Sequence, residues 1–385
     1  MTRATGQATL LFGGDLCPIG RYERRIVAGG EPFEAELARR FREHDFAMVN
    51  LEAPLCEADL PADNPGGFGL RADPCVAAYL RRAGIRFVGL ANNHIRDFGD
   101  AGALATLRYL DVAGVRHTGA GRDLAAAQQP LMVRVNGLTL TVWALAEREL
   151  QVASAERAGS SWFRPEQDVA TVHALRAQCD VLVVYLHAGH EFIPAPSPRL
   201  RDACRALIEA GADAVVAHHP HVVQGLERYR DGLIAYSLGN LVFDSPYVSA
   251  YPHTDVGFLL HLEVARHRIL AVDTVPYRLR DDAVLLLRDA ERDAFDARLR
   301  DLSDMITDDA RFLRTWEESV QYRWDTCYQQ TLATLSARLG DPASRDFARR
   351  TWNLFACPTH VEMLEHAMLM AQQGRLARFR PEART

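Results

Sequence analysis

The sequence Ala217-His218-His219-Pro220-His221 decides the fold, because it closes a short apolar, β-branched segment with three histidines. Two upstream segments end in the same way. Residues 87–90 lead into Ala91-Asn92-Asn93-His94, and residues 181–186 lead into His187-Ala188-Gly189-His190-Glu191. Strands that each end in metal-type ligands indicate one site at the carboxyl edge of a sheet, where α/β folds place their chemistry.

The composition is that of an ordinary globular protein, with 385 residues, 48% hydrophobic and 24% charged. The formal net charge of −6 gives no basic footprint, so we expect no nucleic-acid partner. The N-terminus is short and polar, and no apolar run approaches the length of a membrane span. We therefore expect a cytoplasmic protein. Seven dispersed cysteines without a Cys-x-x-Cys pair argue against a zinc ribbon or a disulfide scaffold.

Strand-like segments alternate with amphipathic helical segments up to about residue 245, which predicts a layered α/β architecture. The predicted strands cover 8–13, 46–50, 86–90, 139–145, 181–186, 213–217 and 233–237, with a late pair over 255–264 and 267–277. The predicted helices cover 34–43, 74–83, 101–113 and 199–210.

From about residue 288 the pattern is helical only. We interpret this region as an extension packed on the core, with a lid or a dimer-forming element as the alternative. The sequence thus predicts one domain over 8–285 and a helical C-terminal extension over 286–385.

Carboxylates and amides also follow the first two predicted strands. Asp15 stands after Gly13-Gly14, where it is placed either to ligate a metal or to cap the next helix. Alternation along a strand puts Asn50 and Glu52 on one side, and a glutamate at a strand end can bridge two cations.

The histidines suit different tasks. His219 and His221 are two residues apart, so we expect them to face one way and to meet different metals, whereas His218 would face the other side. His94 is a candidate acid for a leaving oxygen, with Asp97 orienting it. His187 is a ligand candidate at its strand end, and His190 and Glu191 lie either behind the ligands or in a surface loop. Imidazoles and carboxylates together suit Zn, Fe or Mn.

The ordered set of motifs resembles the CapA-type poly-γ-glutamate capsule biosynthesis family, which is itself similar to calcineurin-like metallophosphoesterases. The resemblance covers about residues 8–245 and rests on these motifs: Gly-Gly-Asp at 13–15, Asn-Leu-Glu-Ala-Pro-Leu at 50–55, Leu-Ala-Asn-Asn-His at 90–94 with Asp97-Phe98-Gly99, His-Ala-Gly-His-Glu at 187–191, His-His-Pro-His at 218–221 and Tyr-Ser-Leu-Gly-Asn at 236–240.

This resemblance implies a four-layer α/β/β/α sandwich with a centre for two divalent metal ions between the sheets. It implies that one metal is held by Asp15 and His221, and the other by Asn93, His187 and His219. Glu52 takes the bridging position, His94 takes the position of the catalytic histidine, and Asn240 lines the site.

Two departures from the family pattern stand out. Asp15-Leu16-Cys17 places a cysteine where many related enzymes have the histidine of Asp-x-His, so we expect a weaker first metal site. Capsule proteins of this family usually carry a membrane anchor, and we expect no membrane span here.

The expected function is a metal-dependent hydrolase, most simply a phosphoesterase that uses a hydroxide activated by two metals (Mn, Fe or Zn). Its substrate would be an anionic small molecule or polymer. The expected substrate contacts are Asn50, Asn92, Glu191, His218, Asn240 and Arg21, with Arg96 as a further candidate for phosphate. The alternatives are an amide or γ-glutamyl hydrolase and a non-catalytic accessory protein. In the accessory case the C-terminal helices would serve for docking, and they are also the candidate surface for a homodimer.

Overall fold

Two β-sheets face each other at the centre of the molecule. The computed structural model describes residues 5–63, 69–149, 151–338, 341 and 345–376. The first sheet contains β1 (Gln7–Cys17), β2 (Phe46–Leu51), β3 (Phe87–Gly89), β4 (Arg116–Thr118), β13 (Asn240–Phe243), β14 (Val256–Ala265), β15 (Arg268–Arg280) and β16 (Ala283–Leu286). The second contains β6 (Leu131–Val135), β7 (Leu138–Ala146), β9 (Val181–His187), β10 (Ala214–His218), β11 (Leu226–Tyr229) and β12 (Gly232–Ala235).

The strand order is β16-β15-β14-β1-β2-β3-β4 in the first sheet, with β13 also paired to β1, and β11-β12-β10-β9-β7-β6 in the second. The strands β1 to β4 are parallel neighbours, as are β7, β9, β10 and β12. A two-stranded ribbon of β5 (Ala120–Gly121) and β8 (Gly159–Ser160) lies beside them. Parallel strands bring their carboxyl ends to one edge of each sheet, which positions the site.

The helices complete the layers. Before the last strand they are α1 (Gly20–Val27), α2 (Ala35–Glu43), α3 (Cys75–Ala83), α4 (Gly99–Ala113), α5 (Leu124–Ala127), α6 (Pro165–Arg176), α7 (Pro198–Glu209) and α8 (Pro246–Ser249). After it come α9 (Asp289–Thr307), α10 (Asp309–Arg323), a π-helical turn (Trp324–Tyr328), α11 (Gln329–Arg338), α12 (Arg345–Ala356) and α13 (Pro358–Gln372).

Alternation along β1 divides the apolar residues between two cores. Leu10 and Phe12 face the second sheet, and that core continues through the sheet to α6 and α7. Leu11 points the opposite way and packs with residues of α1 to α4. The layers are therefore helix, sheet, sheet and helix, so the predicted four-layer α/β/β/α sandwich is confirmed. The predicted strands and helices agree with the observed ones to within a few residues, apart from β1, which continues to Cys17.

The C-terminal helices pack in two parts. Phe295 and Leu299 of α9, together with Phe312 of α10, belong to the core between the second sheet and its helices. A separate apolar cluster joins α10 to α13 around Trp316 and Met363. The boundary predicted at 285/286 falls before the last residue of β16, and the division into a domain and a helical extension stays a prediction. Trp352, Phe355 and Met368 are exposed, and the homodimer also stays a prediction.

Within the described part of the chain, no helix is both long enough and apolar enough to traverse a lipid bilayer.

Candidate metal centre

The predicted ligand residues converge at the edge where the two sheets meet. Asp15 of β1 lies beside Asn50 of β2 and Asn240 of β13. In the second sheet, His187 at the end of β9 lies beside His218 at the end of β10. Residues far apart in sequence therefore meet because their strands are parallel neighbours.

The position of Asp15 is fixed by the close approach of the Gly14 and Gly239 backbones. A Cβ atom on Gly14 would lie 1.9 Å from the carbonyl oxygen of Gly239, so only glycine fits there. The Asp15 amide donates to that same carbonyl at 3.1 Å. The Gly-Gly-Asp motif thus lets β1 pass against the turn before β13 and directs the carboxylate toward the histidines.

Glu52 lies between His187 and His221, which belong to different groups of potential metal ligands. Its Oε1 is 3.7 Å from Nε2 of His187 and 3.7 Å from Nε2 of His221. This oxygen is buried and has no hydrogen-bond partner among the described residues. One group of potential ligands comprises Asp15, Glu52 and His221, and a second comprises Glu52, His187 and His219. Glu52 is shared between them, as expected of a bridging carboxylate.

Asn93 joins the second group. Its Oδ1 lies 2.9 Å from Nε2 of His187, on the side of the ring that also faces Glu52. The structure therefore brings together all six residues predicted to hold metal: Asp15, Glu52, Asn93, His187, His219 and His221.

The backbone of the histidine segment is strained. His219 has φ of 107° and His221 has φ of 58°, a region that non-glycine residues adopt at an energetic cost. This geometry breaks the strand alternation after His218. Since the strain aims both imidazoles into the cluster, it is consistent with a functional constraint.

The prediction that His218 faces away is wrong. Its Nδ1 is 2.8 Å from Nδ1 of His187 and 3.4 Å from Oδ1 of Asp15. These three residues form a further group of potential ligands. The i, i+2 argument failed because the positive φ values remove the regular alternation on which it relied.

The imidazoles are held in the neutral form that a metal requires. Burial lowers the pKa of His218 to about 4 and that of His219 to about 4. Burial and the neighbouring His219 and His218 hold the pKa of His187 well below its usual range. Nε2 of His218 and Nδ1 of His219 are buried without a hydrogen-bond partner among the described residues. Unpaired nitrogen and carboxylate atoms therefore fit a divalent cation.

The two carboxylates respond differently to burial. Burial, followed by the charge of Asp15, raises the pKa of Glu52 well above its usual range. Burial also opposes ionisation of Asp15, but a hydrogen bond from His221 and the nearby imidazoles lower its pKa well below the ordinary value. A cation beside Glu52 would supply the missing countercharge.

Three asparagines predicted to contact substrate lie behind the ligands instead. Asn50 donates to Asp15 at 2.8 Å, Asn92 donates to the carbonyl of Leu51 at 2.8 Å, and Asn240 lies 2.9 Å from Nδ1 of His221. All three are fully buried. Because their amides are already engaged, we assign them to orienting the ligands.

His94 and Asp97 form the expected pair. Nδ1 of His94 lies 2.9 Å from Oδ2 of Asp97, a carboxylate that also accepts from the Leu70 amide and from Gln151. Burial opposes protonation of His94, but the Asp97 charge and hydrogen bond raise the pKa of the imidazole. The pair can therefore hold a proton for transfer.

Cys17 is a core residue and belongs to none of the groups of potential ligands found among the described residues. Burial, and then the charge of Glu52, raise the pKa of its thiol well above the ordinary value. The thiol therefore stays protonated.

The arginines chosen from the sequence are already paired. Arg21 is 2.9 Å from Asp244 and is largely exposed, and Arg96 is 2.7 Å from Asp100. The prediction that Arg21 contacts substrate therefore lacks support, because a carboxylate already satisfies its guanidinium.

Residues that the sequence did not reveal line a cavity of about 150 Å³ beside His219 and Asn93. Its walls also contain the predicted Glu191, together with His190, which is buried rather than in a surface loop. The unforeseen members are Glu149, Arg323, Asn353, Thr359 and His360. Four of these five belong to the C-terminal helical region, whose sequence carries no recognisable site pattern.

Comparisons with known proteins identify the family of the chain. Residues 9–245 match the model of the family described as bacterial capsule synthesis protein PGA_cap, and the chain belongs to this family. The capsule biosynthesis protein CapA of Bacillus anthracis is 27% identical over 72% of this chain and 69% of its own length. The PGA biosynthesis protein CapA of Bacillus subtilis strain 168 is 29% identical over 60% of this chain and 62% of its own length. The predicted CapA-type family is thus confirmed.

Among solved structures, a 5'-nucleotidase precursor from Thermus thermophilus matches with a TM-score of 0.41 and 16% identity. The match covers 76% of this chain and 58% of the nucleotidase. This likeness concerns the fold alone. Family and site together define a capsule-synthesis-type protein with a buried cluster of potential metal ligands.

Proposed function

We propose that the protein is a phosphoesterase dependent on two divalent metal ions. The observation that carries the proposal is the position of Glu52, whose unpaired Oε1 is equidistant from His187 and His221. Asp15 and His221 would hold one ion, and Asn93, His187 and His219 the other. His218 would complete the ligand set of the first ion or steady Asp15. When bound, the ions would supply Lewis acidity and a nucleophile at neutral pH.

The residues of the chain would divide the remaining work. Asp97 holds the His94 ring through Nδ1, which leaves Nε2 to donate a proton to the leaving oxygen. Asn50 and Asn240 keep the carboxylate of Asp15 and the ring of His221 in place. The ligand cluster is buried, so water is largely excluded and electrostatic interactions there are strong.

A hydrolase for amide or γ-glutamyl bonds is the second candidate. The relatives named for capsule and PGA biosynthesis favour it, and so do Glu149 and Glu191 in the cavity wall, since carboxylates suit a substrate that carries an amino group. An accessory role without catalysis is the third possibility, which a relative named as a probable polyglutamine synthesis accessory protein of Mycobacterium tuberculosis brings forward.

A substrate panel tests these proposals. Protein stripped with a chelator would be reloaded with Mn, Fe or Zn and assayed with phosphomonoesters, phosphodiesters and γ-glutamyl peptides. We expect metal-dependent hydrolysis of a phosphoester, lost in His219→Ala together with metal. His117→Ala is the matched control, because His117 lies on β4 outside the cluster and pairs with Asp111 of α4. Hydrolysis of peptides alone would favour the second candidate, and metal binding without any turnover would favour the third.

A further inference from the structure

The C-terminal helices close the cavity beside the metal centre. Asn93, Glu149 and His219 form the wall on the sandwich side. The opposite wall contains Arg323 at the end of α10 and His360 in α13. The family match ends at residue 245, so this second wall is built from residues outside the matched region.

The contacts between the two walls are specific. Arg199 near the start of α7 binds Glu147 of the sandwich and, at 3.1 Å, Glu362 of α13. Thr359 also donates to Glu147, at 2.5 Å. Asn353 of α12 donates to Glu149 at 3.4 Å. These polar contacts hold the helices in a defined position over the site.

Arg323 is the exceptional residue in this wall. It is only 6% exposed, and among the described residues its guanidinium forms neither a salt bridge nor a side-chain hydrogen bond. Arg201, which is also buried, pairs with Asp309 at 2.9 Å, and the half-buried Arg199 pairs with Glu147 and Glu362. A buried guanidinium without a carboxylate partner is costly to maintain. Its position in the cavity wall indicates that a ligand supplies the partner.

The backbone around Arg323 is also unusual. The α-helix ends at this residue and a π-helical turn, Trp324–Tyr328, follows. Such turns are rare and occur frequently at functional sites. This one brings the hydroxyl of Tyr328 to 2.7 Å from Nδ1 of His360. Burial lowers the pKa of His360 to about 4, so its ring is neutral. In the tautomer in which Nδ1 accepts from the Tyr328 hydroxyl, the ring proton lies on Nε2.

The carboxylates in the cavity do not satisfy Arg323. Glu191 attracts it electrostatically but forms no ion pair with it, and instead accepts from the hydroxyl of Tyr247 at 3.1 Å. Glu149 is 3.8 Å from Nε2 of His219 and is bonded to Asn353. The fork of Arg323 is therefore available for a planar or tetrahedral oxyanion.

We propose that Arg323 and His360 form a subsite for an oxyanion group of the substrate, a carboxylate or a phosphate that is not at the reacting bond. The C-terminal helices thereby set substrate specificity. This inference rests on the proposed hydrolase function for its kinetic test, but its binding test is independent of turnover. The cavity accommodates one small acidic group.

The kinetic test uses substrates that share one scissile bond and carry a second group that is a carboxylate, a phosphate or neutral. We expect Arg323→Gln to raise KM about 10- to 100-fold for the substrates with the matching oxyanion and to leave the neutral analogue unchanged. The substrate whose KM rises in the variant identifies the oxyanion that the subsite binds. Arg314→Gln is the matched control, because Arg314 is exposed on the same helix.

The binding test titrates metal-loaded protein calorimetrically with glutarate and with inorganic phosphate. If nothing is hydrolysed but Arg323→Gln binds one of them about 10-fold or more weakly than the wild type, the subsite stands and the hydrolase proposal fails. If Arg323→Gln equals the wild type in hydrolysis and in both titrations, the subsite is overturned and the hydrolase proposal stands. If Arg323→Gln does not fold, Arg323→Lys replaces it in the same titrations. Lysine keeps the positive charge but lacks the two-pronged guanidinium. Affinities for glutarate and phosphate equal to those of the wild type would then overturn the subsite.

Discussion

Replacing Glu52 by Gln should have opposite effects on the metal-free and the metal-loaded protein. Without metal, Glu52 is a fully buried carboxylate close to a second one, Asp15, and burial raises its pKa well above the usual range. The neutral amide removes the cost of keeping this carboxyl protonated near neutral pH, and it keeps the shape of the side chain. The metal-free variant should therefore be at least as stable as the metal-free wild type.

In the metal-loaded protein the variant should instead be less stable than the wild type, because the substitution removes the carboxylate that both groups of potential ligands share. Removing groups that only orient a ligand costs roughly 10- to 100-fold in metal affinity, so loss of a carboxylate shared by two groups should cost at least about 100-fold. At a fixed excess of metal this corresponds to about 2.7 kcal/mol of lost stabilisation. For a domain of this size the melting temperature should fall by about 5 °C relative to the loaded wild type.

Differential scanning calorimetry on chelator-treated and metal-titrated samples measures both effects. Glu57→Gln is a matched control, since Glu57 is exposed and contacts Tyr109 away from the cluster. An equal metal-induced shift in melting temperature for wild type and Glu52→Gln would refute the assignment of Glu52 as a shared ligand.

Four further outcomes are expected. Asn93→Ala should reduce metal content after gel filtration, with affinity about 10- to 100-fold weaker, because its oxygen is 2.9 Å from His187; elemental analysis measures this. His94→Gln should lower kcat about 10²- to 10⁴-fold with metal content unchanged, and equal loss of metal would contradict the assigned role. Gly14→Ala should destabilise the fold by about 3 kcal/mol in chemical denaturation, since its Cβ would meet the Gly239 carbonyl; an unchanged midpoint would show that the strand can shift. Metal-free protein should lose stability as pH falls from about 6.5 toward 4, by up to about 3 kcal/mol for each of His218 and His219, because their lowered pKa values let the unfolded chain bind protons first; His218→Asn should show a smaller decline.

The layered fold was readable from the sequence because β-strand and helix periodicities are local properties. Leu10, Leu11 and Phe12 alternate between two cores, and the histidines that end the strands 181–187 and 214–218 mark the strand ends directly. The convergence of the six predicted ligands also followed, because parallel strands bring their carboxyl ends to one edge.

Two features escaped the sequence for physical reasons. The orientation of His218 depended on positive φ values at His219 and His221, which no residue pattern announces. The position of Arg323 in the cavity wall depends on the packing of helices more than 100 residues beyond the histidine motif. Conversely, Arg21 lies near the site motifs in sequence but is neutralised by Asp244, a contact between distant residues.

The central claim is that the cluster around Glu52 binds divalent cations. Crystals soaked in Mn²⁺ and recorded with anomalous scattering would test it most directly. We expect anomalous peaks about 2.0–2.3 Å from Oε1 of Glu52, one beside His187 and one beside His221. An ordered, unaltered cluster with no peak at saturating Mn²⁺, and none with Zn²⁺ or Fe²⁺, would contradict it.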